Sequence, residues 1–457
     1  MPDTATGDRA ATASANPFLS GLHTPMAEEL TIEDLPVTGT IPPALDGRYL
    51  RMGPNPMATD PANYHWFSGD GMVHGLRIEG GRARWYRNRW IRSEAVTTAL
   101  GEPRTEGPRG TFDTVNTNVV SHAGVTMGVV EAGSTPVELG EYLETLRYTD
   151  FGQGLLGSFS AHPHVDPLTG EMLAICYDVG DQSAIRFVVL APDGSVSRDV
   201  AIVVEHGPMI HDCAFTQRFA IIFDLPVTFS PEAAMGGHPF PYRWNEGHEA
   251  RIGLLPRQGK ADDIIWCPIE PCYIFHAVNA HDTDDGSLIL DVAVHDRMFS
   301  TSPAGPDSRR SGLERWRIDP ATASVARETL DPTPQEFPRA DERRLGQAYR
   351  YAYTMALTGP FLGSGLYKHD LEARTRQFHD FGAGRHPCEF IFIPEHPDAG
   401  EDEGWLMGFV INATAGTTEL TILNARDFEA PPQASVHIPH VVPPGFHGNW
   451  MPRSSAN

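Results

Sequence analysis

The sequence predicts an all-β fold, and within that class a β-propeller, on three observations. Turn formers are abundant: 44 glycines and 39 prolines among 457 residues, nearly a fifth of the chain against a usual share of roughly 12 %. Hydrophobic residues still make up 40 %, enough for a core, so the excess marks turns between many short strands rather than disorder. Short runs rich in Val, Ile, Phe and Tyr recur from end to end, and helical periodicity is weak. The turns repeat as well: Asp166-Pro167-Leu168-Thr169 is echoed by Asp319-Pro320-Ala321-Thr322, and Pro192-Asp193-Gly194-Ser195 by Asp284-Asp285-Gly286-Ser287. Hairpin meanders repeated over so long a chain favour a propeller over a sandwich. Seven blades would average roughly 65 residues, room for four strands each.

Residues 1–15 are rich in Ala, Thr, Asp and Ser. They lack a basic n-region and an apolar h-region, so they read as a disordered tail and not a targeting signal. Residues 16–457 read as a single propeller domain, since no linker divides them. The clearest meander spans 170–227. Residues 171–178 (EMLAICYD), 184–191 (AIRFVVLA), 196–205 and 218–225 (RFAIIFDL) are its strands. Connections of two to six residues make such strands antiparallel neighbours. Residues 136–145 and 230–234 are candidates for short helices in inserted loops. No run approaches 18 apolar residues, so no membrane-spanning helix is expected.

Charge and cysteine content exclude some functions. The chain has 35 Lys+Arg against 59 Asp+Glu, a formal net charge of −24. Such a surface repels polyanions and argues against nucleic acid as a partner. Cys176, Cys213, Cys267, Cys272 and Cys388 form no C-x-x-C pair, and their number is odd. With no signal peptide ahead of them, they argue for reduced thiols in the cytoplasm and against a cysteine zinc site.

The 20 histidines are the chemically informative residues. A lone histidine is ordinarily a surface or core residue with satisfied ring nitrogens. His23, His238, His248, His369, His379 and His396 lie in polar or Pro-rich surroundings and read as loop residues. His162, His211, His276 and His447 differ, each sitting where an apolar run meets a turn. The first three are 49 and then 65 residues apart, about one blade each. Rings carried by successive innermost strands would converge on the propeller axis and gather metal ligands from distant sequence without an H-x-x-x-H motif.

A set of motifs in fixed order then identifies a family. They run from Leu45-Asp46-Gly47-Arg48-Tyr49-Leu50-Arg51 and Gly53-Pro54-Asn55-Pro56 through His65-Trp66-Phe67-Ser68-Gly69-Asp70-Gly71-Met72-Val73-His74, Asn116-Thr117-Asn118 and Val130-Glu131-Ala132-Gly133. They continue with Ala161-His162-Pro163-His164, His211-Asp212, Glu336-Phe337-Pro338-Arg339, Glu389-Phe390-Ile391-Phe392-Ile393-Pro394 and His447-Gly448. On these motifs the chain resembles the carotenoid cleavage oxygenase family, also called the retinal-pigment-epithelium isomerase family, from about Asn16 to Trp450. The resemblance implies a seven-bladed propeller with a dome of loops and short helices over the active-site face. It implies Fe(2+) held by His162, His211, His276 and His447, with Glu131, Glu336 and Glu389 supporting three of the ligands. No carboxylate is implied for His162. His74 and His164 are expected to be nonligands. Four neutral imidazoles would leave the ion its full charge and open positions for O2 beside an alkene, unlike a closed tetrahedral zinc site. Each ring is fixed in one tautomer by giving its second N–H to a partner.

The implied activity is oxidative cleavage of a C=C bond of a carotenoid or apocarotenoid to two aldehyde or ketone products. Relatives that cleave lignostilbene or isoeugenol hold a phenol with a Tyr and a Lys, the Lys just before the first supporting Glu. Here that position is Val130, and the region that would carry the Tyr reads Pro108-Arg109-Gly110-Thr111-Phe112. An apolar polyene is therefore expected; stilbenoid or phenylpropene cleavage is the alternative within the family, and a noncatalytic binding propeller the alternative outside it. Phe67, Trp85, Trp90, Phe275, Phe299 and Phe361 are candidates for an apolar tunnel or for the core. Residues 239–244 (PFPYRW) are the candidate exposed patch for peripheral membrane contact near its entrance. Gly69-Asp70-Gly71 reads as a tight turn with Asp70 accepting from nearby backbone N–H groups.

Overall fold

The computed structural model describes residues 16–453 except 59, 303–306, 309, 360 and 361. The expected tail at 1–15 and Phe361 lie outside the described residues. Seven antiparallel sheets are arranged as the blades of a propeller. Their meanders open, for blades 1 to 7, with Gly47–Pro54, Asn118–His122, His164–Val165, Ala214–Phe215, Tyr273–Asp282, Gln335–Arg339 and Arg385–Pro387, and the earlier strand Thr31–Glu33 is added at the outer edge of blade 1. The two ends of the chain interlock. The late strand Gly448–Pro452 pairs with Gly47–Pro54 at the inner edge of blade 1, and the early strand Val37–Gly39 pairs with Ala434–Ile438 of blade 7.

Blade 3 shows why these sequences form strands. Met172–Asp178 is apolar and buried on both faces, because neighbouring blades cover both sides of an inner strand. Asp181–Leu190 is buried over its later half, and the outer strand Val196–Val203 is only partly covered, with Ile202 its one buried residue. The repeated turns share one geometry. Ala191 N–H donates to Ser195 O and Thr283 N–H to Ser287 O. Gly194 and Gly286 take the left-handed backbone that each turn needs, φ 86° and 88°. The 166–170 turn closes with Gly170 at φ 72°, whereas the echo at 319 puts Ala323 at φ 52°. The repeat thus keeps its shape where it has lost its glycine.

The helix expected within 230–234 is Pro231–Met235, with Ser230 Oγ accepting from Ala233 N–H. It sits between the strands Val227–Phe229 and Tyr242–Trp244, a hairpin inserted into blade 4. The helix expected at 136–145 is not formed. Val137–Leu139 and Thr145–Tyr148 are strands of blade 2, joined by a tight turn in which Gly140 N–H donates to Glu144 O. A helix the sequence reading missed, Glu94–Leu100, starts at Ser93, whose Oγ accepts from Val96 N–H, and stops at left-handed Gly101. That serine and glycine are ordinary helix-end signals. Among the histidines expected in loops, His369 and His379 are buried strand residues. His248 is also buried, its Nε2 donating to Asp224.

Gly69-Asp70-Gly71 works partly as expected. Asp70 Oδ2 accepts from Met57 N–H at 3.1 Å. The role of Gly71 is close approach: a Cβ there would lie 1.7 Å from Val115 O.

Candidate metal centre

The blades bring four histidines to one point. His162 lies two residues before the inner strand of blade 3, and His211 three residues before that of blade 4. His276 is the fourth residue of the blade 5 strand, and His447 immediately precedes Gly448–Pro452. The pairing of blade 5 slips between Ile274 and Ala277, a bulge that turns His276 out of the ladder. Neighbouring Nε2 atoms are 3.1 Å apart for His162–His211 and 3.2 Å apart for His211–His276 and His276–His447. All four ligand atoms lie within 4.8 Å of one another.

The remaining blades supply the carboxylates. Glu131 follows the second strand of blade 2, Glu336 lies in the first strand of blade 6, and Glu389 lies between the two short inner strands of blade 7. Each accepts from one ring Nδ1–H: Glu131 from His211 at 2.6 Å, Glu336 from His276 at 2.6 Å, and Glu389 from His447 at 3.0 Å. Two of the three Glu positions are followed by non-glycine residues with left-handed backbone, Ala132 at φ 71° and Phe337 at φ 52°. Such strain persists where the surroundings demand it. At Phe337 it lets the backbone N–H donate to Glu336 Oε2 at 2.6 Å and the ring stack on His276.

This donor set suits a metal ion. With Nδ1 donating to a carboxylate, Nε2 of His211, His276 and His447 presents a lone pair toward the same point. Lone pairs facing at 3.1–3.2 Å repel unless a cation lies between them. Burial, and then the neighbouring imidazoles His447, His211 and His276, push His162 well below the usual histidine range. Burial takes His447 down to about 4 despite Glu389. Burial opposes the charge on His211 too, but Glu131 outweighs it and raises that ring. Burial also opposes the two carboxylates. His276 and His295 nevertheless hold Glu336 well below its normal range, and Arg339 with His447 takes Glu389 down to about 2. No carboxylate lies within ion-pair distance of His162 among the described residues.

His164 and His74 point elsewhere. His164 Nε2 donates to Asp212 Oδ1 at 2.7 Å, and Asp212 also accepts from the backbone of Cys213 and Ala277. This ties blade 3 to blades 4 and 5. His74 Nδ1 bonds Tyr86 Oη at 2.9 Å inside blade 1. The sequence reading missed two participants. His295 holds Glu336 Oε1 at 2.9 Å, and the Arg339 guanidinium lies 3.8 Å from Glu389. Arg339 was visible within the Glu336 motif; His295 carried no signal beyond its residue type. The Asn116-Thr117-Asn118 motif positions ligands through backbone: Thr117 O accepts from His447 N–H at 3.1 Å, and Asn118 Nδ2 donates to Ala161 O at 3.0 Å.

A cavity of about 370 Å³ opens over His211, His276 and His447. Its wall is mainly apolar and includes Phe67, Val130, Phe240, Phe275, Phe337 and Phe446. Phe299 packs behind Phe67 and Phe240. Trp85 and Trp90 belong to the core instead, and Trp90 Nε1 donates to Asn55 O. Residues 239–244 do not form the expected exposed patch. Phe240 stacks on His65 and is buried, as is Tyr242, and both line the cavity.

The sequence matches the retinal pigment epithelial membrane protein family over residues 23–452. It is 41% identical to a carotenoid cleavage oxygenase of Mycobacterium tuberculosis over 497 aligned positions, covering 97% of this chain and 99% of that protein. Its fold is similar to the crystal structure of a Pseudomonas brassicacearum lignostilbene dioxygenase, with a TM-score of 0.86, 26% identity, and coverage of 95% of this chain and 98% of the other. It is also similar to a cobalt-substituted Synechocystis apocarotenoid oxygenase, with a TM-score of 0.84, 26% identity, and coverage of 94% and 97%. Motifs, propeller and family match agree, and the chain belongs to the carotenoid cleavage oxygenase (retinal pigment epithelial membrane protein) family.

Proposed function

We propose that this chain is a non-haem Fe(2+) dioxygenase that cleaves a C=C bond of a carotenoid or apocarotenoid with O2, giving two aldehyde or ketone products. The observation that carries the reading is the convergence of His162, His211, His276 and His447 Nε2 at the floor of an apolar cavity. The cobalt-substituted relative is a metal protein of the same fold, and an oxygenase needs a redox-active ion, which favours iron over zinc at an all-imidazole site. When bound, the iron supplies an open coordination position and the electrons that activate O2 beside the alkene. Glu131, Glu336 and Glu389 fix the tautomer and orientation of three ligand rings. The aromatic wall excludes water and holds the polyene by apolar contact, placing one double bond against the histidines. We take the loops around Phe67, Phe112 and Phe240 for the expected dome, and residues 16–457 for one oxygenase domain.

Among the described residues no helix is long and apolar enough to cross a membrane. We infer a cytoplasmic protein without nucleic-acid partners. Peripheral membrane contact for substrate uptake fits the exposed Met235, which ends the helix inserted ahead of the cavity residues 239–242. Cleavage of stilbenoids or phenylpropenes is the alternative, supported by the likeness to the lignostilbene dioxygenase. Val130 at the position of a phenol-binding Lys speaks against it.

The test is anaerobic reconstitution with Fe(2+), followed by air and product analysis on C40 carotenoids, apocarotenals and hydroxystilbenes. Paired carbonyl products from a polyene, formed only with iron, are expected. Iron-loaded protein that cleaves no polyene would overturn the reading.

A further inference from the structure

Two phenols on the cavity wall have no part in the chemistry described so far. Tyr177 belongs to the strand Met172–Asp178 of blade 3, and Tyr242 begins the inserted strand Tyr242–Trp244. Their exposures are 5% and 3%. Their rings meet edge to face, with centroids 6.0 Å apart, and both line the cavity. Among the described residues neither hydroxyl has a hydrogen-bond partner. What sets them apart from Tyr49 and Tyr353, whose unpartnered hydroxyls are buried away from the cavity, is that they line it. Neither oxygen is sealed off by protein, so both hydroxyls are open to a ligand in the cavity they line. A third polar atom belongs to the same wall. Glu131 Oε2 is buried and unpartnered while Oε1 holds His211. Burial, and after it the Glu131 charge, keeps both phenols protonated. They therefore remain O–H donors.

We propose that Tyr177 and Tyr242 form a polar subsite that takes an oxygen atom of the substrate, a hydroxyl or a carbonyl, within the otherwise apolar cavity. The substrate is then an oxygenated polyene and not a hydrocarbon carotene. This rests on the proposed polyene cleavage and narrows it. A tyrosine O–H can donate to either kind of oxygen, while Glu131 Oε2 can accept only from a hydroxyl. A site built to hydrogen-bond an oxygen rejects the analogue that lacks it, because its own polar groups are then left unpaired.

The experiment uses iron-loaded protein and three polyenes of equal length: the hydrocarbon, its ring-hydroxylated form and its terminal aldehyde. Binding is read anaerobically by quenching of tryptophan fluorescence, and kcat/KM is read in air. Wild type should favour at least one oxygenated form over the hydrocarbon by tenfold or more in both Kd and kcat/KM. A tightest-binding hydroxylated form points to a hydroxyl ligand, and a tightest-binding aldehyde to a carbonyl. In Tyr177→Phe and Tyr242→Phe that preference should fall at least fivefold, mainly through KM. Equal Kd values across the three polyenes in wild type, or an unchanged preference in both single variants and the double variant, would overturn the subsite while leaving polyene cleavage in place. An intact Kd preference lost in the variants, with no cleavage of any polyene in air, would instead overturn the proposed reaction and leave the subsite.

Discussion

His162 and His164 stand two positions apart in one motif, yet their rings do different work. His162 faces the other three ligand histidines, and His164 is bound to buried Asp212. His162→Ala should lose metal and activity together. His164→Ala should lower thermal stability, because Asp212 loses its partner, while keeping most of the iron; metal analysis of both purified variants measures this. Equal iron loss would mean that His164 also serves the centre. The carboxylates make a graded prediction. Glu131→Gln, Glu336→Gln and Glu389→Gln should each cost about 10–100-fold in metal affinity or activity, and full iron content and activity in all three would exclude the orienting role. The histidines and glutamates were legible because each stands in an ordered motif. His295 was not, since its contact to Glu336 depends on the blade 5 hairpin returning to blade 6, and no local pattern encodes that. Tyr177 and Tyr242 were equally silent: one reads as a strand residue and the other as surface aromatic, and only the packing puts their rings together.

The blades are joined by side-chain clamps whose cost of removal can be ranked by burial. Arg257, just after the blade 4 strand Arg251–Pro256, reaches into blade 3 and donates to Asp166 Oδ2 at 2.6 Å and Glu171 Oε2 at 2.8 Å. Asp166 is fully buried, so Arg257→Ala leaves an uncompensated charge and should cost about 3–5 kcal/mol. The half-exposed pair Arg374–Glu328 should give about 0–1 kcal/mol when Arg374 is replaced by Ala. Denaturant melts of both variants test the ranking, and similar losses would contradict it. Gly71→Ala pushes a methyl group into Val115 O and should cost about 1–3 kcal/mol or more, again without touching the metal ligands. The strands themselves were largely legible, as inner strands are covered on both faces and read as unbroken apolar runs. The expectation at 136–145 failed because Val137–Leu139 is fixed as a strand by pairing to Thr126–Gly128, and Thr145–Tyr148 by pairing to Val137–Leu139, contacts that no local pattern encodes. The Glu94–Leu100 helix was missed although Ser93 and Gly101 mark its ends, since seven residues are too few for a periodic signal.

Ring closure ties the metal to stability. The ligands come from blades 1, 3, 4 and 5, the supporting carboxylates come from blades 2, 6 and 7, and the two chain ends interlock in blades 1 and 7. An ion bound only by the closed ring stabilises it by about 2.7 kcal/mol at roughly a hundredfold excess over Kd. With an unfolding entropy of about 2.1 cal/mol/K per residue, a chain of 457 residues should gain about 3 °C in Tm. Calorimetry with and without Fe(2+) should show that shift in wild type and none in His162→Ala. Substrate choice is set by the same assembly. Blades 1 to 6 contribute to a cavity whose wall is mainly aromatic and aliphatic. Val130 offers neither charge nor donor at the position where a phenol-binding relative would carry Lys, and the net charge of −24 gives no general attraction for phenolates. A 4-hydroxystilbene must therefore satisfy its phenol at Tyr177, Tyr242 and Glu131, with a body too short to use the full apolar wall. An apocarotenal can satisfy one oxygen there and fill the remainder with polyene, gaining roughly 25 cal/mol for each Å² removed from water. In direct competition at equal concentration, the apocarotenal should be consumed first. A tenfold stilbene preference in kcat/KM, about 1.4 kcal/mol, would reverse the substrate assignment while leaving the four-histidine centre as it stands.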